Sequence, residues 1–278
     1  MREPRSSQDA KCRPEQRKYM RRSVALLGRS DHTRTAVEEH EHPPPQSKPT
    51  ALLKAALIDH TGRGDYGHEL DEIFIARNDV ELVAVADACQ TGRQMAREKL
   101  SPPKLYADYR EMLDKEHPDL VCIAPRHADQ HHEMAMAAIA AKAHVLLEKP
   151  FVRAPFEADE IITAAAEKGL KIAVAHQMRL APNVRHLLDL VHGGMIGDLL
   201  EIRAWGKQDK RSGGEDMMVL GVHQFDLMRM FAGDPLWCSA RVMQEGRDII
   251  ASDAHVPDVN VGAVAGDEIV AQFAFPNG

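Results

Sequence analysis

The sequence predicts an α/β protein in two parts: a parallel sheet layered with helices over residues 51–177, then an incomplete α+β domain with a mostly antiparallel sheet over 178–278. Three observations carry this. In the first part, short and almost wholly apolar strand candidates alternate with helix candidates, and strands buried on both faces need helices above and below them. A glycine-rich loop stands between the first strand candidate and the first helix candidate. After residue 177 the strand candidates change to apolar–polar alternation, the pattern of a sheet with one covered face.

Residues 1–50 are rich in Arg, His, Glu, Ser and Pro, include Pro43-Pro44-Pro45 and lack apolar periodicity, so a disordered tail is expected there. Arg21-Arg22 opens an apolar stretch that stops after Leu27, too short for the core of an export signal. From Leu52 the pattern is regular. Residues 54–59 (KAALID) read as a strand, and 67–77 have helical spacing through Leu70, Ile73 and Phe74. Residues 80–87 (VELVAVAD) read as a second strand, 92–100 and 109–115 as helices, and 119–124 (DLVCIA) as a third strand. An alanine- and methionine-rich helix follows over 129–142, then a strand over 144–148, a helix over 156–168 and a fifth strand over 170–175. In the second part, 182–192 and 222–232 read as helices; 199–205 (LLEIRAW), 237–244 and 268–275 alternate as half-exposed strands.

The chain is 44% hydrophobic, enough for a packed core. Its 42 acidic residues outnumber 35 basic ones, giving a formal charge of −7 with no basic stripe, which argues against nucleic-acid binding. No apolar run reaches the roughly 18 residues that a membrane span needs. Cys12, Cys89, Cys122 and Cys238 form no C-x-x-C pair, and Cys89 and Cys122 sit in or beside apolar runs, so reduced thiols and a cytoplasmic setting are expected.

Gly62-Arg63-Gly64-Asp65-Tyr66-Gly67 matches G-x-G-x-x-G between a strand and a helix, the context in which such a loop lets backbone amides approach a diphosphate. Asp87 closes the next strand, where a carboxylate accepts hydrogen bonds from ribose hydroxyls and repels a 2′-phosphate. Together they predict a Rossmann domain that binds NAD in preference to NADP. Because Asp59-His60-Thr61 separate strand from glycines, a second register, Asp59 to Gly64, stays open; it keeps Thr61, Gly62, Arg63 and Gly64 at the dinucleotide but puts a carboxylate near its phosphates.

Three later segments resemble the glucose–fructose oxidoreductase / inositol dehydrogenase (Gfo/Idh/MocA) family: His144 to Pro150 ending in Glu148-Lys149-Pro150, Cys122 to Arg126 followed by His131, and Gly221-Val222-His223-Gln224-Phe225-Asp226. The resemblance runs from about Leu53 to Gly278. It implies hydride transfer between a nicotinamide and the hydroxyl carbon of a sugar, polyol or related small molecule. It implies that Pro125, Arg126, His131, Glu148 and Lys149 stand at the cofactor, that Lys149 contacts the reacting hydroxyl across a cis Lys149–Pro150 peptide, and that His223 is the general acid/base. A desolvated lysine loses proton affinity and can polarise that hydroxyl, and an imidazole exchanges protons near neutrality. Arg179, Asp216 and Asp226 are expected beside the substrate with Lys149 and His223.

The sequence departs from the family in two respects. Members carry an acid four residues before the histidine; here that position is Val219, and Asp216 is the nearest replacement. The further strands that complete the family's second domain, and through which a homo-oligomer is expected, are not in the sequence. Both departures keep a second reading open: a dinucleotide-binding sensor without catalysis. His127, His131, His132 and Glu133 have the spacing of a zinc-binding helix, but no distant acid or Cys pairs with them, and no metal is expected.

Overall fold

Six strands make the first sheet in the computed structural model: β1 Leu53–Asp59, β2 Val80–Asp87, β3 Lys104–Tyr106, β4 Leu120–Ile123, β5 His144–Leu147 and β6 Ile172–Val174. The structure describes residues 52–276 apart from 66, 76, 103, 208 and 210, so the tail expected over 1–50 lies outside the described residues. All five pairings are parallel, in the order β3-β2-β1-β4-β5-β6. The direction of winding reverses between β1 and β4, and the crevice beyond the carboxyl ends of those two strands is where open α/β sheets bind ligands.

β1 shows why the strands had to be apolar throughout. Ala56 and Ile58 face one core layer with Ile123, Leu147 and Ile161, while Ala55 and Leu57 face the other with Val85, Cys122 and Leu70. Side chains alternate across a strand, so a sheet covered on both sides needs apolar residues at every position. The covering helices are α1 Gln90–Leu100, α2 Tyr109–Glu116, α3 His131–Ala140 and α4 Pro155–Glu167. Asp108 caps α2 by accepting from the Arg110 amide.

Three expectations are corrected. The sheet has a sixth strand, β3, too short and too exposed to show periodicity. The helix expected over 67–77 is only the 3-10 turn Leu70–Phe74, because Glu69 before it is in the left-handed region and the His68 amide is held by Glu148. Leu70 and Phe74 are buried as their spacing demanded. The strand expected over 199–205 makes no strand pairing. It borders a groove of about 1060 Å³ whose other wall is β9 (Glu268–Ala274), and alternation without a neighbour in hydrogen-bonding reach cannot make a sheet.

The second part begins with α5 Pro182–His192 and continues through a short helix α6 Gly214–Asp216 and a π-helical turn Met217–Gly221 into α7 Val222–Ala232. β7 Trp237–Gln244 pairs antiparallel with β8 Arg247–Asp248 and with β9, in the order β8-β7-β9. Phe225 of α7 meets Phe273 of β9 edge to face at 5.2 Å, tying helix to sheet.

Candidate functional site

The crevice at the sheet's switch point is built from three strand-end loops. The first follows β1. Gly64 has φ +98°, and a Cβ there would lie 2.3 Å from the Arg126 amide nitrogen of the loop after β4. A Cβ on Gly67 would lie 2.4 Å from the Ala124 carbonyl oxygen. These glycines are required by the neighbouring loop as well as by any phosphate. Arg63 forms an ion pair with Asp129, and Arg126 Nε donates to the Gly64 carbonyl at 3.1 Å.

Asp87 at the end of β2 is 1% exposed. Its carboxylate accepts from the Thr61 hydroxyl at 2.6 Å, the Thr61 amide at 3.2 Å and the Cys89 amide at 2.8 Å. The acid expected at the ribose thus anchors the glycine loop, with Thr61 laid over it. Asp59, below the same loop, is 3% exposed with neither carboxyl oxygen hydrogen-bonded among the described residues. Burial first, then the Asp87 charge, hold its carboxyl well above the usual carboxylate range. Burial thus disfavours the charged form of Asp59, which weakens the charge objection to the second register.

Asp59 yields a stability prediction. The folded protein keeps a proton that an unfolded aspartate releases near pH 4. Its contribution to stability is complete below about pH 4 and is lost as pH rises through the folded-state value. Asp59→Asn should be close to the parent near pH 4 and more stable at pH 8, by about 1.4 kcal/mol for each pH unit between the folded and unfolded values. Urea unfolding at the two pH values checks this; a difference that fails to grow with pH contradicts it.

The third loop follows β5 and carries the two charged residues of the Glu-Lys-Pro segment. Glu148 is fully buried; it accepts from the His68 amide at 3.3 Å and the Lys149 amide at 3.0 Å, and its other contact is the His68 ring at 3.1 Å. It thereby joins the glycine loop to the strand end that presents Lys149. The Lys149–Pro150 peptide is cis. Lys149 is 4% exposed, and its Nζ donates to the Val219 carbonyl at 3.0 Å. Burial pulls its pKa below the ordinary lysine value, and nearby Lys207, Arg126 and Arg211 pull the same way against Glu148.

The π-helical turn over Met217–Gly221 brings α7 to this point. His223 and Lys149 line one cavity of about 160 Å³, with His68, Arg126, Lys207 and Arg211. His223 Nδ1 is buried without a hydrogen-bond partner among the described residues. Burial, the Lys149 charge and His176 together lower its pKa to about 4, so the ring is neutral at pH 7. His176 lies edge to face with His223, ring centres 5.5 Å apart, and its Nδ1 is also unpartnered. Sequence reasoning did not single out His176, although it directly follows a strand end, the signal that located Lys149.

Other expected site residues are placed elsewhere. His131 is fully buried; its Nε2 faces the Pro125 carbonyl at 2.7 Å and its Nδ1 the Pro150 carbonyl at 2.9 Å. It pins two site loops together from inside, and neither nitrogen is left for a ligand or for zinc shared with His127. Arg179 and Asp226 bind each other bidentately, at 2.7 Å and 3.0 Å, rather than converging on the cavity. Asp216 is 5% exposed and accepts from the Lys207 amide at 2.8 Å. It fastens the 206–207 segment instead of orienting His223.

Residues 61–176 match the model of an oxidoreductase family with an NAD-binding Rossmann fold, Gfo/Idh/MocA. D-glucoside 3-dehydrogenase of Escherichia coli K12 is 28% identical over 195 residues, 66% of this chain and 55% of the relative. Myo-inositol 2-dehydrogenase of Thermotoga maritima is 24% identical over 68% of this chain and 55% of the relative. The chain thus spans about half the length of the curated relatives it matches. In fold, it superposes on myo-inositol 2-dehydrogenase from Lactobacillus plantarum with a TM-score of 0.64 at 24% identity, covering 82% of this chain and 68% of that one. It superposes on GenD2 from gentamicin A biosynthesis, in complex with NAD, with a TM-score of 0.63 at 22% identity, covering 86% and 66%. Among the described residues no helix is long and apolar enough to cross a membrane. Over residues 61–176, which hold most of the glycine loop, the switch-point crevice and the Lys149–Pro150 peptide, the chain is similar to the Gfo/Idh/MocA family of NAD-binding oxidoreductases.

Proposed function

We propose that this protein transfers a hydride between NAD and a hydroxyl carbon of a sugar, polyol or related small molecule. The observation that carries the reading is the convergence of Lys149 and His223 on one cavity at the carboxyl end of the sheet, beside the loop that follows β4. The residues fit a dinucleotide. Gly64 and Gly67 keep the loop flat against its neighbour, and Asp87 supplies the ribose carboxylate once the Thr61 hydroxyl turns away. The same buried carboxylate disfavours a 2′-phosphate, hence NAD over NADP.

Bound there, NAD supplies the hydride acceptor or donor. The chain's own residues move the proton. Neutral His223 takes the hydroxyl proton on its imidazole, and the Lys149 ammonium, poised by desolvation, stabilises negative charge on the reacting oxygen. The sensor reading rests on one observation, that Val219 leaves His223 Nδ1 with no acid to orient it. NADH and NADPH fluorescence titrations, followed by an NAD-reduction screen over polyols and aldoses, test both readings. NADH should bind about 100-fold tighter than NADPH, roughly the cost of opposing two like charges in a buried site. Binding without turnover on any substrate favours the sensor; no binding of either nucleotide removes both. The homo-oligomer expected through the second sheet, where Trp237 and Val270 are 54% and 63% exposed, is read by light scattering.

A further inference from the structure

We propose that the substrate of this site carries an anionic group, a carboxylate or a phosphate, held by Lys207 and Arg211 in the cavity that contains Lys149 and His223. The proposal rests on the hydride-transfer reading above and goes on to its substrate class. Although the chain has net charge −7, the cavity lining includes Arg126, Lys149, Lys207 and Arg211 and not one Asp or Glu. Three acids lie outside the lining: Glu148 is fully buried with its oxygens taken up by His68 and the Lys149 amide, Asp209 pairs with Arg211, and Asp216 accepts from the Lys207 amide. Part of the positive charge is accounted for. Arg126 is tied to the glycine loop through Gly64, and Arg211 is paired with Asp209 at 2.8 Å. The Lys207 ammonium has no ion-pair or hydrogen-bond partner among the described residues, while its backbone amide is fixed by buried Asp216.

A neutral polyol would leave the Lys149 and Lys207 charges without an anion in a cavity of about 160 Å³, where an anionic group would be attracted. Burial is the main cause of the lowered Lys149 pKa, and Lys207, Arg126 and Arg211 add to it against Glu148. The reaction balances without using the anion: the carbinol C–H leaves as hydride to NAD⁺, the O–H proton passes to His223, a carbonyl forms, and the charged group is unchanged.

The test is calorimetry on the full chain saturated with NADH, using D-gluconate, D-glucose 6-phosphate and, as neutral ligands, D-glucose and myo-inositol. One of the two anions should bind at least about tenfold tighter than either neutral ligand at low salt, with the margin narrowing as screening lengths shorten at high salt. The gluconate and phosphate arms decide which anion the site takes. In Lys207→Gln combined with Arg211→Gln the anion-to-neutral affinity ratio should collapse to within about threefold of unity. Lys207 is exposed and Arg211 half-buried, and a melting temperature confirms that the double variant folds. Neutral ligands binding as tightly as both anions, or a ratio that survives the double substitution, overturns the proposal. Failure of NADH itself to bind instead overturns the hydride-transfer reading on which it rests.

Discussion

Lys149→Ala should lower turnover by about 10³-fold or more while changing NADH affinity by less than about tenfold. The lysine is 4% exposed and, among the described residues, its Nζ donates to the Val219 carbonyl oxygen and forms no ion pair, so it is held in place without being neutralised. That arrangement leaves its charge available to an oxygen in the cavity. Desolvation strengthens the interaction, because a charge in a water-poor site is poorly screened. Removing the ammonium removes both the stabilisation of developing negative charge and the lowered-pKa proton. Lys149→Met fills the same space and should lose as much, which separates charge from packing. Lys149→Arg should also fail, since a guanidinium does not present a compact point charge at the same place. Steady-state kinetics with the best substrate from the screen reads all three. Turnover within tenfold of the parent in the alanine variant would sink the assigned role.

How much of this was legible in the sequence depends on which interactions each feature rests on. β1, β2, β4 and β5 announced themselves because both faces are buried, and double burial forces an uninterrupted apolar run. β3 did not, since three partly exposed residues at a sheet edge carry no period. The 199–205 segment has the right alternation and no strand partner among the described residues, a matter of tertiary neighbours that no local pattern contains. Leu70 and Phe74 bury as their spacing requires, yet the backbone between β1 and β2 follows the grip of Glu148 on the His68 amide, a contact across 80 residues.

The site divides along the same line. Lys149 follows a strand end and His223 lies in a helix with a recognisable neighbourhood, so both could be named from local sequence. Arg179 and Asp226 look like ligand-binding residues until the structure shows that they satisfy each other across 47 positions. His131 looks like a ligand for the same reason, and the three carbonyl oxygens around its ring are invisible in sequence. Lys207 and Arg211 lie in an irregular stretch with no periodicity, and only the fold shows that they share a cavity with Lys149.

Val219→Asp should raise turnover, by roughly 10- to 10³-fold, and move the acidic limb of the pH profile upward. In the parent, His223 has a pKa near 4 because it is desolvated and faces Lys149 and His176, with only the weaker opposing pull of Glu148. Above about pH 4 the ring is therefore already the free base, and kcat/KM for alcohol oxidation should climb through pH 4 and then level off, instead of turning near the ordinary histidine value. The low pKa also weakens the base: the imidazolium formed on proton abstraction is as unfavourable in the transition state as at rest. Val219 lines the same cavity as His223 and Lys149, and its carbonyl already meets Lys149 Nζ. A carboxylate at this position would oppose the Lys149 charge, stabilise the imidazolium and offer His223 Nδ1 the acceptor it lacks. The acidic limb should then move toward neutrality as the rate rises, and the two changes have one cause. Val219→Asn, isosteric but uncharged, should orient the ring without raising its pKa, leaving the limb near pH 4. An aspartate variant that folds with an unshifted limb and no gain in rate would mean that His223 is not the proton acceptor, and would shift the choice to His176, whose ring is in edge contact with it.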